Sequence, residues 1–142
     1  GLVGGQADDL GFERTGGEPP TLFARRIESV HQRKTGRLIA AAIACGARLA
    51  GADEEWIGRL RSTGDELGVA YQIADDWLDR DRDEACSLVR VTGADAALER
   101  ARELLDSALA RVEALGDAAE PLRDQASRIP ATSSGVCSGL AP

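Results

Sequence analysis

The sequence predicts an all-α fold, an antiparallel helical bundle with short connections. Three observations carry that reading. Apolar residues recur at helical spacing through most of the chain. Alanine is abundant while aromatic residues make up only 4%, which favours closely packed helices over a sheet. No alternating strand pattern of any length occurs. With 142 residues, 43% of them apolar, the chain suits one domain with a sizeable core.

The elements follow in order. Gly1 to Leu10 (GLVGGQADDL) reads as the end of a glycine-rich helix. Gly1, Gly4 and Gly5 would let another backbone come close, and Gln6 and Asp9 share a face. Gly11 to Pro20 is a loop, given Gly16, Gly17, Pro19 and Pro20. Thr21 is the expected N-cap of a helix over Leu22–Leu49. Its apolar line passes through Ile27, Val30, His31, Lys34 and Leu38 to Ala41, Ala42 and Cys45. A lysine on such a line either snorkels to water or points its ammonium at an anion. Thr35 and Gly36 allow a break or kink beside it.

Gly51 ends that helix, and Asp53 caps the next, which runs to about Asp79. Leu60, Gly64, Leu67, Tyr71, Ala74 and Leu78 form its packing seam. Gly68, Gln72, Asp75 and Asp79 follow one residue later, about 100° round. The charge run Arg80 to Glu84 reads as a solvated turn. Gly93–Leu115 is amphipathic and closed by Gly116, and Ala118–Ile129 forms one more short helix. The helical domain is therefore placed at 1–129, followed by a disordered tail at 130–142.

A net charge of −7 and a pI near 4.7 argue against a nucleic-acid or anionic-membrane surface. The three cysteines, Cys45, Cys86 and Cys137, are far apart and lack metal-binding spacing, so reduced thiols and a cytoplasmic location are expected. No apolar run approaches the ~20 residues of a membrane span, and no signal peptide is read. Gly1 opens directly into structured sequence, so a fragment of a longer protein is expected.

Asp75, Asp76 and Asp79 crowd one helical turn. Like charges so spaced cost a helix about 0.2–0.5 kcal/mol per pair, which points to a cation beside them. Gln6, Asp9, Lys34, Thr35 and Gln72 can face the same cavity. All-oxygen ligands suit Mg2+ or Mn2+ and not zinc. His31 is the only histidine, so a multi-histidine site is excluded. No phosphate-binding glycine loop is present, no nucleophile has a base spaced to serve it, and the acidic spacing is not that of a calcium loop. What remains is a carboxylate–Mg2+ cluster with a lysine, the chemistry of a diphosphate site.

GLVGGQADDL, then HQRKTG with an alanine-rich helix after it, then GVAYQIADDWLD, resembles the trans-isoprenyl diphosphate synthases, or polyprenyl synthetases. The likeness covers Gly1 to about Asp79 and resumes along Val91–Leu115. It implies a partial isoprenyl diphosphate synthase (terpenoid synthase-like) fold and head-to-tail condensation of an allylic prenyl diphosphate with isopentenyl diphosphate. It implies that Asp75, Asp76 and Asp79 bind Mg2+, that Lys34 contacts the allylic diphosphate, that Thr35 and Gln72 stabilise positive charge on the reacting carbon, and that Gln6 and Asp9 lie at the metal–water edge.

The chain departs from the family pattern in three ways. The first aspartate-rich motif and the basic residues that bind isopentenyl diphosphate are not in it. The segment after Asp79 is shortened, and no lysine follows Lys34. Three readings follow: half of a prenyl diphosphate synthase, inactive alone; a short homologue that acts as a partner or regulatory subunit; or an unrelated acidic bundle with solvated aspartates. Loss of the first half would expose apolar faces, so a homo-oligomer or a partner subunit is expected.

Overall fold

The computed structural model describes residues 2–11, 18–80 and 86–130, and every regular element among them is helical. Seven α-helices run in order: α1 Leu2–Leu10, α2 Pro20–His31, α3 Arg37–Leu49, α4 Glu54–Leu78, α5 Leu88–Thr92, α6 Ala94–Arg111 and α7 Glu120–Ser127. A π-helical turn, Gln32–Gly36, joins α2 to α3, and a 3-10 segment, Glu113–Ala119, joins α6 to α7. Helix α4 is the axis, packed along α3, the π turn and α6. No described helix is long and apolar enough to cross a membrane.

Two starts show how local chemistry sets the boundaries. Asp53 caps α4 as expected, its Oδ1 accepting a hydrogen bond from Trp56 N at 2.8 Å. Helix α2 begins earlier than expected, at Pro20 with Pro19 in the cap position, so Thr21 is not its N-cap. Proline fits there because the first helical residues have no intrahelical use for an N–H. Helix α5 was not foreseen; its five residues end at Gly93, whose φ of 90° suits glycine.

The π turn changes which face of the second helix is buried. In the π turn the Arg37 N–H donates to Gln32 O, five residues back, so one extra residue occupies the turn. That accounts for one position, about 100°, of a downstream shift of two, since burial passes from the expected Lys34 and Leu38 to Gly36 and Ala40. Ile27, Val30 and His31 are buried upstream as expected. Downstream the buried positions are Gly36, Ala40 and Ala44, while Leu38, Ala41, Ala42, Cys45 and Leu49 are exposed.

The core is built from small residues at the crossings and branched ones between them. Ala70, Ala97, Ala101 and Ala108 are fully enclosed, with Ile27, Ile73, Leu88 and Leu105 among them. Leu60, Gly64, Leu67 and Ala74 of the expected α4 seam are buried. Tyr71 and Leu78 leave it, at 51% and 48% exposure, because the packed side of α4 turns toward Val69, Ile73 and Asp76 near its end. Arg100 grips Glu28 of α2 at 2.8 and 3.2 Å, and Arg111 grips Glu66 of α4 at 3.1 and 2.7 Å. Each carboxylate raises its guanidinium above the ordinary range, chiefly by hydrogen bonding. Residues 81–85, most of the expected charged turn, and 131–142, nearly all of the expected tail, lie outside the described residues.

Three glycines permit the closest approaches. A Cβ on Gly5 would strike the backbone of Lys34, and one on Gly68 the backbone of Gly36; one on Gly64 would meet Ala40 Cα at 2.6 Å. Gly68→Val is expected to destabilise the fold by about 1–3 kcal/mol or more, because the obstacle is backbone that cannot repack. Gly46→Ala, in a helix interior with open space around it, is expected to stabilise by about 0.5–1 kcal/mol. Urea denaturation of the two variants checks both signs.

Candidate active site

Three stretches of the predicted site meet around the π turn. Helix α1 reaches it where Gly5 lies on the Lys34 backbone, and Arg33 Nη1 pairs with Asp8 Oδ2 at 2.9 Å. Helix α4 reaches it from the other side, where Gly68 lies on Gly36. The expected kink at Thr35–Gly36 is thus a widened helical turn wedged between two helices. Widened turns of this kind recur at functional sites.

The turn brings Thr35 and Gln72 together across 37 positions of sequence: Thr35 Oγ1 donates to Gln72 Oε1 at 2.8 Å. Both side chains are half-buried. A hydroxyl has one proton and two lone pairs. With the proton committed to Gln72, the Thr35 oxygen offers its lone pairs to whatever lies in front of it. Lys34, the preceding residue, is half-buried on the same turn. On α1, Gln6 is exposed; the Asp9 backbone belongs to the helix, and its side chain lies outside the described residues.

The three aspartates of the expected metal site differ in their surroundings. Asp75 is exposed and Asp79, which ends α4, is half-exposed. They lie one turn apart, with the Asp79 N–H donating to Asp75 O at 2.9 Å. Asp76 faces the interior at 6% exposure. Its Oδ2 accepts from Leu88 N at 3.1 Å and lies 3.6 Å from His31 Nε2. Asp76 thus lies on the interior side of α4, about 100° round from the exposed Asp75. Among the described residues no three His, Cys, Asp or Glu side chains gather closely enough to hold a metal ion. The partnership of His31 with Asp76 was missed; the burial of His31 was legible from its place on the apolar line, but its partner was not.

The chain matches the pattern of the Polyprenyl synthetase family over residues 1–116. It belongs to that family. Among curated polyprenyl synthetase relatives, it is 38% identical over 84 residues to the farnesyl diphosphate synthase of Bacillus subtilis (strain 168), covering 59% of this chain and 27% of the relative. Its fold superposes on an FPP/GFPP synthase from Zymomonas mobilis with a TM-score of 0.77 and 31% identity, covering 91% of this chain and 45% of that one. A geranyltransferase from Helicobacter pylori, solved in complex with magnesium and isoprenyl diphosphate, superposes with a TM-score of 0.68 and 27% identity, again covering 91% and 45%. The chain thus spans about a quarter of its curated relative and under half of each of these solved structures.

An apolar cavity of about 480 Å³ lies between α3, α4 and α7, walled by Ile39, Ile43, Leu67, Tyr71, Leu122 and Ile129. None of the predicted polar site residues lines it. The Thr35–Gln72 bond is a polar side-chain contact between the π turn and α4. Thr35→Val is expected to cost about 0.5–1.5 kcal/mol in stability, while Thr35→Ser, which keeps the donor, costs less. Denaturant titration of both variants checks the difference.

Proposed function

We propose that this chain carries the allylic-diphosphate half of a prenyl diphosphate synthase site. The whole enzyme would condense an allylic prenyl diphosphate with isopentenyl diphosphate. The observation that carries this reading is the Thr35–Gln72 hydrogen bond, set beside Lys34, with Asp75 one turn and Asp79 two turns beyond Gln72 on α4. The allylic C–O bond breaks and the diphosphate leaves with the electron pair. The isopentenyl double bond attacks the allylic cation, and a proton is then lost.

Each residue has a role in that scheme. Asp75 and Asp79 are all-oxygen donors on one open face, which suits Mg2+, or Mn2+ in its place. Magnesium is ordinarily held by one or two carboxylates together with substrate phosphates, so two aspartates and a diphosphate fit it without a protein cage. When bound, the metal supplies electrostatic stabilisation of the leaving diphosphate. Lys34 places an ammonium on the same diphosphate. Thr35 and Gln72 present oxygen dipoles to the cation, a preorganised charge complement. In the same scheme Gln6 and Asp9 would serve the metal–water edge of the site. The first aspartate-rich motif and the isopentenyl diphosphate site are not in this sequence, so the chain alone does not complete the reaction. A cytoplasmic location, inferred from the cysteine usage, belongs to the same reading.

A second reading, a partner or regulatory subunit, is favoured by one observation. Leu38, Ala41, Ala42, Cys45 and Leu49 form an exposed stripe along α3, with Leu49 at 90% exposure. Such a stripe favours a homo-oligomer or a complex with a second subunit. The two readings share the diphosphate site and differ in what covers that face.

The pure chain is expected to form no prenyl diphosphate from an allylic primer, isopentenyl diphosphate and Mg2+; product in a radiolabel assay would overturn this. In calorimetry, Asp75→Ala and Asp79→Ala are each expected to weaken Mg2+-dependent pyrophosphate binding about tenfold or more. Unchanged affinity would remove the metal assignment. Light scattering is expected to report a dimer or larger species, and a clean monomer would count against an oligomer.

A further inference from the structure

We infer that Asp76 is a positioning residue and not a metal ligand: it locks α4 to the end of α2 and to the start of α5. The inference rests on the diphosphate site proposed above, whose open face it narrows to Asp75 and Asp79.

The argument starts from burial. The Asp76 side chain is 4% exposed and that of His31 2%. A carboxylate enclosed without partners is strongly disfavoured, so its contacts explain its presence. One oxygen, Oδ2, takes the Leu88 N–H at 3.1 Å and stands 3.6 Å from His31 Nε2. Leu88 is the first residue of α5, whose N–H groups lack intrahelical partners. The preceding Ser87 makes no side-chain cap there. Asp76 therefore acts as the cap of a helix twelve residues away in sequence.

The other contact sets the site. His31 is the last residue of α2, directly before the turn that carries Lys34 and Thr35. Asp76 directly follows Asp75 on α4. A contact between His31 and Asp76 therefore sets the rotation of α4 against the π turn. It is this rotation that sends Gln72 toward Thr35 and leaves Asp75 facing outward. The two adjacent aspartates divide the work: one faces the ligand, and its neighbour aims it.

The test separates charge from position. Asparagine at 76 removes the charge a metal would need, yet keeps an oxygen to accept from Leu88. In calorimetry with Mg2+ and inorganic pyrophosphate, Asp76→Asn is expected to hold affinity within about twofold of the parent chain, whereas Asp76→Ala and Asp75→Asn each lose about tenfold or more. In thermal denaturation, Asp76→Ala and His31→Ala are each expected to lower the midpoint, and the double variant to fall little below the worse single one. Asp76→Asn as damaging to affinity as Asp75→Asn would overturn the inference and make Asp76 a ligand. Additive midpoint losses would overturn it by removing the tie. A parent chain that binds no Mg2+-pyrophosphate would defeat the function proposed above, while the thermal cycle would still decide whether Asp76 and His31 are coupled.

Discussion

The structure depends on two backbones passing with no side chain between them, Gly36 on the π turn and Gly68 on α4. Packed helices normally stand about 8–10 Å apart, held off by their side chains. Here a glycine on each partner removes that spacer. Helix α4 comes near enough for a short threonine hydroxyl to reach Gln72, and Gly64 over Ala40 carries the same approach along α3. Gly5 on the Lys34 backbone adds a third helix at the same turn. Short side chains can meet only where the main chains come close, so the polar geometry follows from the glycines.

Much of this was legible in the residues. Helical periodicity and the absence of strand patterns indicated the fold class, and Asp53 with its Trp56 N–H behaved as a cap residue should. The close approach of Gly5 was readable, because small residues on a helix face invite a neighbour. The resemblance implied roles for Thr35 and Gln72 at one reacting carbon, and the hydrogen bond between them is what the structure adds. The polyprenyl synthetase family and its all-α fold stand as that resemblance implied.

The rest lay in tertiary contacts that leave no local mark. Helix α5 has five residues, too few to show a periodic pattern, and its start is held by a carboxylate from another helix. Asp75 and Asp76 are chemically identical in the sequence, and only packing shows that one meets solvent while the other meets Leu88 and His31. The extra residue in the π turn was equally silent. Thr35-Gly36 signalled a deformation, but the hydropathy pattern could not tell a kink from an insertion.

That insertion reaches beyond the turn itself. In an ordinary α-helix, what lies inward at one end lies inward at the other, so the whole rod serves one neighbour. An extra residue partway along acts as a fixed rotary joint. It lets the half containing Ile27 and Val30 face this domain's own core, while the half containing Leu38 and Leu49 turns the same apolar register outward. One continuous stretch of chain can then belong to two hydrophobic surfaces, with Lys34 and Thr35 standing where they change over.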